Sequence, residues 1–218
     1  MTTSIKNTDK TPPKGSVKFS LTLSDEQKEA KSNILQVPFS FVIGKAGSGK
    51  TLLACQIALD KFFKREVDKI VITRPTVATE DIGFLPGSLE EKMEPWIVPI
   101  RSNMRKVYNK PETLTRMEQD ENIELLSLAH FRGRTFDNAV CIVDEFQNLT
   151  KQQLLMVLGR LGKGSIMIFF ILFSFLFAFY FVTYALADVQ QINNKFTKYI
   201  GINYLRGVKD TDMEEIYG

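Results

Sequence analysis

The sequence predicts an α/β fold, a parallel β-sheet with helices on both faces. Three observations carry this prediction. Phe39 to Ile43, Lys69 to Thr73 and Ala139 to Val143 are nearly continuous apolar runs, as expected of strands buried on both faces. Helical patterns alternate with these runs, which is the signature of βαβ units. A Gly-rich turn follows the first strand at once and leads into a helix.

The elements follow in chain order. Residues 1–20, with Pro12, Pro13, Gly15 and several lysines, read as a mobile arm, and residues 21–218 as one domain. Ser24 to Lys31 begins a short helix. Lys50 to Phe63 is helical, because Leu52, Leu53, Ile57, Leu59 and Phe62 form a wide apolar face. Pro86-Gly87 breaks the chain, and Ser88-Leu-Glu-Glu91 has capping-box spacing for a further helix. Leu125 to Leu128 is a short strand candidate. Thr150-Lys-Gln-Gln153 repeats the capping-box spacing and opens a helix through Leu158. Gly162 and Gly164 turn the chain into an apolar strand beginning Ser165-Ile-Met-Ile-Phe169.

Composition narrows the class. At 218 residues, 44% apolar and 24% charged, the chain is of ordinary globular type, which excludes a collagen-like chain, a disordered tail and a disulfide scaffold. Cys55 and Cys141 lie in apolar runs and read as buried, reduced thiols, so a cytoplasmic location is expected. The 28 Lys and Arg against 25 Asp and Glu leave a net charge of +3. Lys6, Lys10, Lys14 and Lys18 against Asp9 supply that excess locally, so net charge alone does not argue for a nucleic-acid partner.

Gly44-Lys45-Ala46-Gly47-Ser48-Gly49-Lys50-Thr51 satisfies the phosphate-loop pattern, between an apolar strand and a helix as its chemistry requires. The glycines let successive N–H groups turn toward an anion, and the helix N-terminus adds positive charge there. Lys50 would reach the β- and γ-phosphates of ATP, and the Thr51 hydroxyl would bind Mg²⁺. Val140-Cys-Ile-Val-Asp-Glu145 is the complement. Asp144 would hold the metal shell and Glu145 would orient the attacking water.

These residues and their neighbours resemble the PhoH-like ATPases, the short phage type in particular. The resemblance rests on Ile72-Thr-Arg-Pro75, Gly83-Phe-Leu-Pro-Gly87, Arg132-Gly-Arg-Thr-Phe136 and Asp144-Glu-Phe-Gln-Asn148, in that order after the phosphate loop. It implies a RecA-like P-loop domain similar to the first domain of superfamily 1 helicases. It also implies Mg·ATP hydrolysis, with coupling to RNA or single-stranded DNA as an expected extension. Such motors close ATP between two domains. One is read here, so an arginine from a neighbouring subunit and a homo-oligomer are expected. The resemblance places Gln27 where helicase-like proteins read adenine, while Ser24-Asp-Glu-Gln27 is itself a capping box; both readings stand. Thr73 and Arg74 match a segment that touches the nucleic-acid backbone, or are a strand end with its arginine satisfied. Arg132 and Arg134 reach phosphates or a neighbour's ATP, or form a solvated loop. His130, the single histidine, is expected to pack.

The resemblance further implies a Gly-Asp-x-x-Gln turn that senses the γ-phosphate, directly after the last strand. Ala187-Asp-Val-Gln-Gln191 has the right ending, with Ala187 in place of the glycine and Gln191 as the catalytic candidate. About seventeen surplus residues, Phe170 to Leu186, precede it, with Phe173, Phe175, Phe177, Phe179 and Phe181 strictly alternate. The run Ile166 to Ala187 has no charge, Gly or Pro and is long enough to span a bilayer. Three readings compete: a transmembrane helix with membrane association, an overlong element packed on the domain, or an accidental insertion that lowers activity. A true span would put Asp188 and Gln191 across the membrane from Lys50. The competing function is therefore a nucleotide-binding module with weak or no turnover. A small-molecule P-loop kinase is disfavoured by the Asp144-Glu145 pair.

Overall fold

The computed structural model describes residues 19–75, 89–172 and 200–205. The chain is already docked at its first described residues: Phe19 packs on the core and the Ser20 N–H donates to the Val107 carbonyl at 2.9 Å. Helix α1, Asp25–Ile34, opens with the capping box read in the sequence, Ser24 and Gln27 each accepting from the other's backbone N–H. Strand β1, Phe39–Gly44, is buried throughout and feeds the Gly-rich turn. Helix α2, Lys50–Phe63, and strand β2, Lys69–Thr73, have the bounds their sequence patterns give. Helix α3, Leu89–Val107, carries Pro95 and Pro99 inside it, each removing one backbone hydrogen bond.

Helix α4, Pro111–Gln119, strand β3, Ile123–Leu126, and the short helix α5, Leu128–Phe131, follow. Strand β4, Ala139–Val143, is wholly buried, and a 3₁₀ turn, Phe146–Asn148, leads to helix α6, Lys151–Leu158, capped by Thr150 and Gln153. Strands β5, Ile166–Leu172, and β6, Ile200–Leu205, complete a six-stranded sheet of order β3-β2-β4-β5-β1-β6. Every pairing is parallel. All carboxyl ends therefore share one edge, where ligands of open α/β sheets bind.

Two cores account for the layers. Helices α1 to α4 pack over one face around Val42, Leu53, Ile57, Ile70, Ile142 and Ile168. The other face buries Phe41, Val71, Cys141, Phe146, Leu154 and Phe169 under α5, the 3₁₀ turn and α6. Burial pushes both the Cys55 and Cys141 thiols up to about 12, so they remain protonated.

Two expectations need correction. A helix across residues 166–187 does not form, because its first seven residues are β5. That strand pairs with β4 on one side and with β1 on the other. The first seven residues of the run are uncharged because a central strand is buried on both faces. Among the described residues no helix is long and apolar enough to cross a membrane. β5 also runs through Phe170 to Leu172, three residues past the point where the surplus is expected to begin. Residues 200–205, where no element is read in the sequence, form β6. Ile200-Gly-Ile-Asn-Tyr-Leu205 alternates with period two, and at Gly201 a Cβ would come within 2.9 Å of the Val37 side chain.

At the β3 edge, Glu124 takes Lys69 and two nitrogens of Arg134, the latter at 2.8 and 3.1 Å. Burial alone would push its carboxyl up. The hydrogen bonds from Arg134 and Lys69, with their charges, outweigh it and hold the group below the ordinary 4.5. A depressed folded value means stability that is present above 4.5 and is lost as pH falls through the folded value. Glu124→Gln is expected to cost about 1 kcal/mol at neutral pH, since both cations are partly screened by solvent. That deficit should close in urea melts between about pH 5 and pH 3. A deficit of the same size at both ends of that window would remove the ion pair as its cause.

Candidate nucleotide site

The phosphate loop is built by two left-handed glycines. Gly47 and Gly49 both have φ of 78°, a conformation that other residues adopt only with strain. At Gly47 a Cβ would stand in open space, whereas at Gly49 it would come within 2.6 Å of Gln27 Nε2. Gly49 is also the N-cap of α2 and supplies no side-chain cap. The first N–H groups of that helix are thus left to face an anion.

Lys50 is buried at the base of the loop. Its Nζ donates to the carbonyls of Gly44 and Lys45, both at 2.7 Å, and approaches Ser48 Oγ at 3.5 Å. Burial lowers its ammonium below the ordinary lysine range, and the charges of Glu145 and Asp144 oppose that. Ala46, Gly47, Gly49, Lys50 and Thr51 line one side of a cavity of about 460 Å³.

The two acids face the same cavity from the end of β4. Strand β5 lies between β1 and β4, so one strand's width separates the loop from the carboxylates. Burial and the neighbouring Glu145 raise the Asp144 carboxyl, and Arg74 and Lys50 counter them. Glu145 occupies the left-handed region, φ 50° and ψ 43°, strained for a residue with a side chain. The next residue anchors that turn: the Phe146 ring packs edge-on against Phe41 and Phe169, each at 5.2 Å. The Glu145 carboxylate accepts from Gln147 Nε2 and lies 3.7 Å from Arg74. Among the described residues no group of three or more His, Cys, Asp or Glu could hold a metal. One hydroxyl and one carboxylate beside a phosphate cradle fit Mg²⁺, which takes a carboxylate or two and completes its shell with phosphate oxygens and water.

The family model for PhoH-like proteins matches residues 21–206. The chain belongs to the PhoH family. A PhoH-like protein of Synechocystis is 45% identical over 130 residues, covering 59% of this chain and 39% of that one. One of Bacillus subtilis is 43% identical over 143 residues, covering 65% and 44%. Protein PhoH of Escherichia coli is 39% identical over 126 residues, covering 57% and 36%. The match thus spans about two-fifths of the length of these curated relatives. In fold the chain is similar to the large terminase of a thermophilic bacteriophage. The TM-score is 0.51 at 10% identity, covering 90% of this chain and 50% of that one. A complex of that terminase with ADP gives 0.50 at 10% identity, covering 89% and 49%. The fold is that of P-loop NTPases.

In this PhoH-family chain the loop, Lys50, Thr51, Asp144 and Glu145 come together as the sequence predicts. Gln27 does two things at once: Oε1 completes the α1 cap, and Nε2 donates to the Ser48 carbonyl at 3.2 Å. It therefore braces the loop from behind. Thr73 is buried, while Arg74 faces the cavity. Arg134 is held by Glu124 and lies over the Phe136 ring, and Arg132 is exposed. His130 does not pack. It is exposed and shares a hydrogen bond with Ser127 at 3.0 Å. Gly83–Gly87, the alternate phenylalanines from Phe173 on, Asp188 and Gln191 lie outside the described residues. Sequence patterns give no hint of one wall of the cavity: Pro99, Ile100, Asn103 and Lys106 of α3, with Phe170 of β5. The spacing 99, 103, 106 puts three of them on one helix face, a signal visible in the sequence but shared by any helix.

Proposed function

We propose that this PhoH-family chain binds Mg·ATP at Gly44–Thr51 and hydrolyses it. One observation carries the reading: a left-handed glycine cradle, a buried lysine, a threonine hydroxyl and two carboxylates line a single cavity at the carboxyl edge of a parallel sheet. The loop N–H groups and Lys50 would hold the triphosphate and stabilise charge developing on its terminal phosphoryl group. Thr51 and Asp144 would hold Mg²⁺, which neutralises phosphate charge when bound. Glu145, steadied by Arg74 and Gln147, would orient the attacking water. Gln191 is proposed as the γ-phosphate sensor. Gln27 would set the loop's position, and its amide would read adenine only by exchanging its present partners. The two buried, protonated thiols support a reducing, cytoplasmic setting.

Coupling to RNA or single-stranded DNA is part of the proposal, supported by the exposed Arg132 and by Arg74 at the site's mouth. The test is ATP turnover with and without single-stranded RNA. Stimulation that falls steeply with salt is expected of a nucleic-acid-coupled enzyme. Turnover indifferent to RNA and DNA would reduce the protein to a plain NTPase. An arginine supplied by a second subunit is also proposed; it predicts turnover per subunit that drops on dilution through dissociation, and a flat rate would end it.

Phe170 favours a second reading. Its backbone pairs with Val42 beside the loop, and it lines the cavity where the resemblance expects a polar turn. On this reading the chain binds nucleotide but turns it over slowly.

A further inference from the structure

Helix α3 carries no feature that marks it as functional in the sequence, yet its residues line the same cavity as the phosphate loop. Its Pro99, Asn103 and Lys106 face that space from one side of the helix. Its Ile97, Met104 and Val107 are buried. The packing therefore fixes which face of α3 meets the site.

The cavity's charges show what that face is for. Among the described residues, three cations and two carboxylates line it: Lys50, Arg74 and Lys106 against Asp144 and Glu145. Lys50 is engaged by the carbonyls of its own loop, and Arg74 is beside Glu145. Lys106 is exposed and has no ion-pair partner among the described residues. Position narrows its target. The loop N–H groups and the start of α2 are assigned to the triphosphate as a whole. Gln27 braces the loop through Ser48 and is not among the cavity's lining residues. Lys106 shares the cavity with Asp144 and Glu145, which are assigned above to the Mg²⁺ and to the water that attacks the terminal phosphate.

We propose that Lys106, with Asn103 beside it, binds the terminal phosphate of a nucleoside triphosphate, so that α3 distinguishes tri- from diphosphate. This rests on the nucleotide reading of the cavity. A lysine suits this role because it is a point charge on a flexible stem, able to reach phosphate without a fixed fork geometry.

The test is calorimetric titration of the full chain with Mg·ATPγS and with Mg·ADP. Lys106→Gln is expected to weaken ATPγS binding about tenfold and ADP binding less than about twofold, since a charged hydrogen bond to the third phosphate is lost. Asn103→Ala should act in the same direction, more weakly. Lys106→Arg should retain most of the ATPγS affinity, which separates lost charge from disturbed folding. Equal weakening of both nucleotides, or of neither, overturns the assignment. If the wild-type chain binds neither nucleotide, the nucleotide reading itself fails and this inference falls with it. If it binds both and Lys106→Gln binds ATPγS just as tightly, the role of α3 alone fails.

Discussion

Lys50→Ala is expected to lower ATP turnover by about a thousandfold or more while leaving the fold intact. Two effects act together. The substitution removes the cation assigned to the β- and γ-phosphates. It also strips the Gly44 and Lys45 carbonyls of the donor that sits 2.7 Å from each. The second effect costs stability, because the buried Gly44 carbonyl and the partly buried Lys45 carbonyl lose a charged partner, and about 1–2 kcal/mol is reasonable for a loop that water can then enter. The first costs catalysis. Measuring melting temperature and turnover on the same material separates them. Lys50→Arg sharpens the comparison, since it keeps the charge but presents a planar fork to a pocket shaped for a point donor. It should melt near wild type and still lose most turnover. A Lys50→Ala protein within tenfold of wild-type turnover would mean that Lys50 is only a clamp for its own loop, and the proposed chemistry would have to be abandoned.

What the sequence revealed follows from how local each feature is. Residues 44–51 were legible because chain order alone forces the arrangement: a strand, three glycines, then a lysine at a helix start. Asp144 and Glu145 were legible because a buried strand carries them directly to the carboxyl edge. The α3 wall was not legible. Asn103 and Lys106 lie on a helix with ordinary spacing, and only packing against α2 decides which face meets the loop. Gln27 was half legible: the capping box is local, but the bond to Ser48 spans 21 positions and depends on how α1 lies against the sheet. β6 was missed because six alternating residues in a polar tail resemble many loops until β1 offers an edge. The apolar run left its readings open for a physical reason. A central strand and a membrane helix both exclude charge, and hydropathy does not distinguish water excluded by lipid from water excluded by a protein core.

Deleting Phe170 to Leu186 is expected to raise turnover by about a hundredfold, the lower end of what one transition-state donor commands. The sheet register supplies the reason. Phe169 pairs with Val143, the residue just before Asp144. Beyond that level, Phe170, Ile171 and Leu172 pair with Val42, Ile43 and Gly44. An apolar strand thus continues past the height at which the acids emerge. Joining Phe169 to Ala187 would start Ala187-Asp-Val-Gln-Gln191 at that height and bring Asp188 and Gln191 close to the cavity. The deletion also forfeits two residues that are nearly fully buried, Phe170 and Ile171, so the melting temperature should fall. Turnover must therefore be read well below the transition. A shorter deletion, residues 173–186, provides the contrast: it keeps the strand to Leu172 and sets the polar turn three positions further along. That variant should stay near wild-type turnover. If both deletions activate equally, the bulk of the segment is inhibitory and the register argument is wrong. If neither does, the turn ending in Gln191 does not sense the terminal phosphate. A specific gain in the longer deletion would mean that the apolar segment slows hydrolysis by displacing a polar group from the end of β5, while the loop that binds the nucleotide stays whole.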